Sequence, residues 1–182
     1  MGTIKATNIE PIADNGTVTL GSSGDTFTLG SGVLQSNLLT PAFLAQVTSS
    51  TTISDDTVTT IIFGTESYDT DSSYDNSNGR FTVPSGKVGK YFLYTKVQLQ
   101  CSNDNLFLDG QIQIFKNGSN LTTARVQPLG DGRVYTLNEN LAIDLAVSDY
   151  IEVKAYVNDN GGTPQYNGGD FRSYFGAYRI GS

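Results

Sequence analysis

Between Leu137 and Val147 the chain alternates. Leu137, Glu139, Leu141, Ile143, Leu145 and Val147 stand at odd positions, with Asn138, Asn140, Ala142, Asp144, Ala146 and Ser148 at the even ones. A period of two sends successive side chains to opposite faces of an extended backbone, so this stretch predicts a half-buried β-strand rather than a helix. After Ser148-Asp149 the pattern resumes with Ile151, Val153, Ala155 and Val157 against Glu152 and Lys154. Runs of this kind recur from Tyr74 to Arg179, each closed by Asn, Asp or Gly.

Further strands are predicted over Thr57–Phe63, Phe81–Val83, Tyr91–Gln100, Gln111–Lys116 and Phe171–Ile180, with an acidic loop over Glu66–Gly79. Asn117-Gly118 is a hairpin turn, because both residues tolerate positive φ. Leu38–Ala45 has two readings. Thr40 with Pro41 would cap and start a short helix, or the stretch opens the first strand; the β-rich remainder favours the strand. Eight or nine short strands without a helical pattern predict an all-β, antiparallel sandwich or jelly roll.

The chain divides near Thr40-Pro41 into an N-terminal arm, 1–40, and a main domain, 41–182. The arm carries an imperfect repeat, Thr17-Val18-Thr19-Leu20-Gly21 and Thr26-Phe27-Thr28-Leu29-Gly30. Two copies are too few for a solenoid, and a lone hairpin is marginal in water. Either three arms around a symmetry axis bury Val18, Leu20, Phe27 and Leu29 together as an anchor, or the arm is a leader without structure. A domain of ~140 residues buries enough surface for a core without cross-links. Cys101 is the one cysteine, which excludes an intramolecular disulfide. No apolar run reaches the ~20 residues that span a bilayer, and Met1–Lys5 does not open a secretory signal, so folding in the cytoplasm is expected. The net charge of −7 argues against a nucleic-acid partner.

The sequence contains no histidine, which removes the usual triads and the commonest metal ligand. No nucleophile elbow or phosphate-binding loop occurs either, and the expectation is a protein that is not an enzyme and carries no cofactor. Asp69, Asp71 and Asp75 are candidate calcium ligands, although acidic residues among Ser, Asn and Gly are ordinarily solvated turn formers. An EF-hand is excluded, since Tyr74 and Arg80 stand where Gly and Glu are required. The irregular stretch 158–170 is the candidate recognition loop, with Asp159, Asn160, Gln165, Tyr166 and Asn167 as receptor contacts. A plain solvated connection is the competing reading.

Six blocks in order resemble one family. Tyr74-Asp75-Asn76-Ser77-Asn78-Gly79-Arg80-Phe81-Thr82-Val83-Pro84 resembles its Y-D-x-x-x-G-x-F-x-x-P block, and Gly89-Lys90-Tyr91-Phe92-Leu93 its G-x-Y-x-F. Lys116-Asn117-Gly118, Asp149–Val153 and Phe175–Tyr178 follow, and Pro41-Ala42-Phe43 stands at the opening strand. Over residues 41–182 the chain resembles the globular heads of the complement C-one-q and tumour-necrosis-factor superfamily. Ser148 and Ala177 stand where that family has glycine.

The resemblance implies a ten-stranded jelly roll that forms a homotrimer with both chain ends on one side, and in some members a calcium ion near the axis. Candidate trimer contacts are Tyr91, Leu141, Tyr174 and Tyr178, each of which also reads as ordinary core. The arm has no Gly-X-Y repeat, so it is no collagen stalk. A head of this type on a short Thr/Gly/Leu arm resembles bacteriophage virion proteins. The expected role is a trimeric structural protein of a virion assembled in the host cytoplasm. Its arm would dock to capsid or tail proteins, and its head would face a host-surface glycan or protein as a short fibre or spike, with no membrane insertion. Capsid decoration without receptor binding, and a non-viral adhesion or signalling module, are the alternatives.

Overall fold

In the computed structural model, which describes residues 40–104 and 106–181, the alternating runs become strands and no described residue is helical. Numbered in chain order, the strands are β1 (Ala42–Gln46), β2 (Thr51–Thr52), β3 (Thr59–Thr60), β4 (Thr65–Asp69), β5 (Tyr74–Asp75), β6 (Arg80–Thr82), β7 (Gly89–Gln100), β8 (Phe107–Lys116), β9 (Ser119–Val126), β10 (Val134–Leu145), β11 (Tyr150–Asp159), β12 (Gln165–Tyr166) and β13 (Tyr174–Gly181). The strand reading of Leu38–Ala45 holds for its described part.

Two antiparallel sheets result. The larger runs β2-β12-β7-β13-β1-β4, and β10 pairs with the other side of β7 along its full length. The smaller runs β5-β6-β11-β8-β9, with β3 beside β11. Because consecutive strands keep crossing between layers, the body is a jelly-roll sandwich. Strands β10 and β9 are the edges of their sheets on one flank, where they approach each other.

The core lies between the layers. Phe43 is fully buried, stacked on Tyr74 at 4.7 Å and Phe81 at 5.1 Å, with Phe175 edge-on at 5.0 Å. Gly79 explains its block: its φ is +76°, and a Cβ would come within 2.5 Å of the Ile61 carbonyl oxygen. Asn117 (φ 50°) and Gly118 (φ 80°) make the two-residue turn joining β8 to β9.

Three expectations are corrected. The acidic stretch 66–79, expected as a loop, contributes most of β4 and all of β5; β4 is a sheet edge and shows no apolar alternation. Thr57–Phe63 pairs only over Thr59–Thr60, while Ile61 and Phe63 are buried beyond the ladder. The last strand starts at Tyr174 rather than Phe171, because Asp170 and Phe171 adopt positive φ of 48° and 52°.

Candidate functional site

Strand β7 separates two environments. Tyr91, Leu93, Thr95, Val97 and Leu99 point into the sandwich and are buried, so Phe92, Tyr94, Lys96, Gln98 and Gln100 point outward. On β13 the outward positions are Tyr174, Gly176 and Tyr178. The outer rings form a connected patch: Phe92 lies 5.6 Å from Tyr178, and Tyr94 lies 6.2 Å from Tyr174 and 6.3 Å from Tyr178. From β4, the Tyr68 hydroxyl meets that of Tyr94 at 3.4 Å. Burial, then the Tyr68 hydroxyl, push the Tyr94 phenol above its ordinary value. Gly176 is where Tyr94 lies flat on the sheet, since a Cβ there would collide with the ring. Rings bury roughly 150–250 Å² each when enclosed. The five together form one connected aromatic patch on the outer face, and contiguous apolar patches of this kind mark interaction surfaces.

Away from the rings the face turns polar. Lys96 holds its ammonium 5.0 Å from the centre of the Tyr174 ring. Beyond it Asn167 donates to Gln98 at 3.0 Å and to Gln100 at 2.8 Å, and Gln165 donates to Asn167 at 2.7 Å.

A second unsatisfied surface is the flank where β9 and β10 meet. The inward positions of β10, Tyr135, Leu137, Glu139, Leu141 and Ile143, are only half-buried, as are Ala124 and Val126 of β9. Among the described residues no strand pairs with the outer edge of β9 or of β10.

The four expected trimer contacts therefore part company. Tyr174 and Tyr178 lie on the aromatic face and Leu141 on the open flank. Tyr91 is a correction: it is fully buried monomer core, its hydroxyl donating to the Lys87 carbonyl at 2.5 Å, and burial pushes its phenol up to about 12. Phe92, Tyr94 and Tyr68 escaped the sequence reading. Alternation places Phe92 and Tyr94 on the face opposite Tyr91, but it does not say which of the two faces is outer.

Both described ends of the chain meet at one end of the sandwich. Lys87 donates to Thr40 at 2.9 Å, and Gly181 pairs with Lys90 at the start of β7. The stretch 158–170 belongs to the opposite end. Of its expected receptor contacts, Asp159, Tyr166 and Asn167 are buried at 7%, 3% and 4% exposure. Asp159 accepts from Gly162 N at 2.7 Å and donates its own N–H to Asp55, which makes it a loop fastener. Tyr166 joins the core from β12 and lines a hollow of about 300 Å³ with Val47, Thr51 and Ile62. Asn160 is exposed and Gln165 half-exposed.

Nor do the three aspartates converge. Asp69 accepts from Tyr74 N at 2.8 Å and Ser73 at 3.1 Å, Asp71 pairs with Lys87 at 3.4 Å, and Asp75 accepts from Ser77 and Asn78, both at 2.6 Å. Among the described residues no three His, Cys, Asp or Glu side chains gather as a metal site. The arm residues Val18, Leu20, Phe27 and Leu29 lie outside the described residues.

Residues 42–179 match the family model described as the C1q domain. The chain belongs to the C1q domain family. Solved structures similar to it include the globular domain of zebrafish complement 1qA protein, at 12% identity and TM-score 0.54, covering 77% of this chain and 97% of that one. Murine APRIL is similar at 13% identity and TM-score 0.55, covering 76% and 97%. Eiger TNF from S. frugiperda follows at 12% identity and TM-score 0.53, covering 78% and 92%. No curated protein matches the sequence. At these identities the structures share the fold. The C1q domain is a binding and structural fold.

The two departures from the family's glycines have distinct outcomes in this C1q domain. Ser148 keeps a left-handed backbone, φ +69°, so the turn before Asp149 survives the change. Ala177 is buried inward, and the neighbouring Gly176 carries the close approach of Tyr94 on the outer face.

Proposed function

We propose that three copies of this chain assemble about an axis running along the strands, the β9/β10 flank of each covering the aromatic face of the next. The observation that carries this reading is the presence, on one body, of two different unsatisfied surfaces, a ring-covered face and an open edge. A contact between unlike surfaces is heterologous and closes into a ring when the rotation permits. An axis along the strands brings the three Thr40 residues to one end and the loops at 101–104, 127–133 and 160–164 to the other.

The trimer is then a virion structural protein of a bacteriophage. Its arm, residues 1–40, fixes it to capsid or tail proteins, and its far loops face the host surface. Supporting this are an acidic head with sparse charge and an arm built from Thr, Gly and Leu without a collagen repeat. Capsid decoration without receptor binding is the second reading. The burial of Asp159, Tyr166 and Asn167 favours it, because three of the five expected receptor contacts are turned inward.

Light scattering tests the assembly: a mass three times 19.5 kDa is expected, and a solitary subunit would end the proposal. Attachment is tested by replacing the exposed Asn160 and Thr163 with alanine. Assembled particles with reduced adsorption support a receptor role, and unchanged adsorption assigns decoration.

A further inference from the structure

Each of the two surfaces carries one charge without an ion-pair partner among the described residues. On the outer face, Lys90 is matched by Asp144 at 3.0 Å, whereas Lys96, further along β7, rests on Tyr174 and forms no ion pair among the described residues. On the flank, Glu139 is the acidic residue among the inward positions of β10, half-buried between Leu137 and Leu141, and it too forms no ion pair among the described residues. Within one copy the two cannot meet. Glu139 shares the inward side of the larger sheet with Thr95, and Lys96 points out of the other side. An unpaired charge on a surface that becomes buried is costly unless its opposite arrives with the partner.

Their heights match. Glu139 is level with Thr95 and Asn138 with Lys96, so the carboxylate stands one residue from the lysine along the strand direction. Rotation about an axis parallel to the strands leaves height unchanged, so the Glu139 of one copy arrives at the level of Lys96 on the next. The neighbouring levels agree in character on one side of the pair and differ on the other. Ile143 and Leu141 of the flank come level with the Phe92 and Tyr94 rings, and Tyr135 and Leu137 with the Gln98 and Gln100 amides. Apolar groups meet rings, and the one acid meets the one free cation of the described face.

We propose that Lys96 of each copy pairs with Glu139 of its neighbour, three pairs per trimer, and that this pair fixes the axial register and rejects misaligned partners. The inference rests on the trimer reading above and adds the residues that specify it. Like charges facing each other across a contact oppose association, and close interfacial pairs couple strongly.

The experiment is a charge swap followed by sedimentation of the full chain. Lys96→Glu and Glu139→Lys are each expected to raise the concentration at half-dissociation at least about tenfold. The double variant K96E/E139K is expected to regain most of the loss. Far-ultraviolet circular dichroism checks that each variant folds. Should a swap variant misfold, the neutral cycle K96Q, E139Q and K96Q/E139Q decides, with non-additive losses expected. A wild-type trimer whose double variant does no better than the singles, or whose neutral losses simply add, overturns the pairing and leaves the trimer standing. A monomeric wild type removes both.

Discussion

Ser148 holds a left-handed conformation, φ +69°, that serine adopts at a steric cost of roughly 1–2 kcal/mol relative to glycine. Glycine's greater freedom in the unfolded chain returns part of that difference. Ser148→Gly should therefore stabilise the domain by up to about 1 kcal/mol, read as a higher melting temperature. A lower one would mean that the hydroxyl matters more than the backbone. The next residue governs acid behaviour. Burial acts to raise the Asp149 carboxyl, but hydrogen bonds from Lys116 (2.7 Å), Asn117 (2.7 Å) and Ala146 N (2.8 Å) outweigh it and hold the group below its usual range. The stabilisation is present above the unfolded value near ~3.9 and is lost as pH falls through the lower folded value. Asp149→Asn should lower stability at neutral pH and flatten its decline as pH falls below the ordinary carboxylate range, measured by urea unfolding at acid and neutral pH. An unchanged slope would remove Asp149 from the acid response.

Strand β7 joins core and surface through adjacent residues, so neighbouring substitutions should fail differently. Leu93 is fully buried, and Leu93→Ala should cost about 2–5 kcal/mol of stability whatever the protein concentration. Phe92 points outward, and Phe92→Ser should leave the fold intact while weakening self-association. Unfolding curves at two protein concentrations separate the two cases. If Phe92→Ser melts the subunit and spares association, the aromatic face is not an assembly surface. The strand was legible because it alternates, and the hairpin at Asn117-Gly118 because its φ requirements are local. Strands β4 and β5 were not legible, for they are short edge pieces whose residues are mostly exposed.

At the scale of the molecule, the proposed trimer makes stability depend on concentration, as mass action requires. Calcium should have little effect, because the Asp69, Asp71 and Asp75 carboxylates already accept hydrogen bonds or pair with Lys87 in their own turns. Melting with millimolar calcium and with a chelator should coincide. A rise of several degrees would mean that these turns reorganise around an ion. The division of the described structure into an end bearing Thr40 and Gly181 and an opposite end of loops sets where a partner could be reached.

Alternation by itself determined that the described domain is all-β, where most long strands run, and that residues one apart face opposite ways. Those facts are local, since they follow from backbone pleat and turn chemistry. Which face of β7 became core was a tertiary decision. Tyr91 and Phe92, or Leu93 and Tyr94, are interchangeable candidates until the second sheet covers one side. The same holds for Tyr166 and Asn167, which look like loop residues in the sequence. Asn167 is buried because Gln98, Gln100 and Ser50, distant along the chain, close around it, and Tyr166 because its ring joins the core. Burial depends on what arrives from elsewhere in the chain, and a period of two carries no record of it.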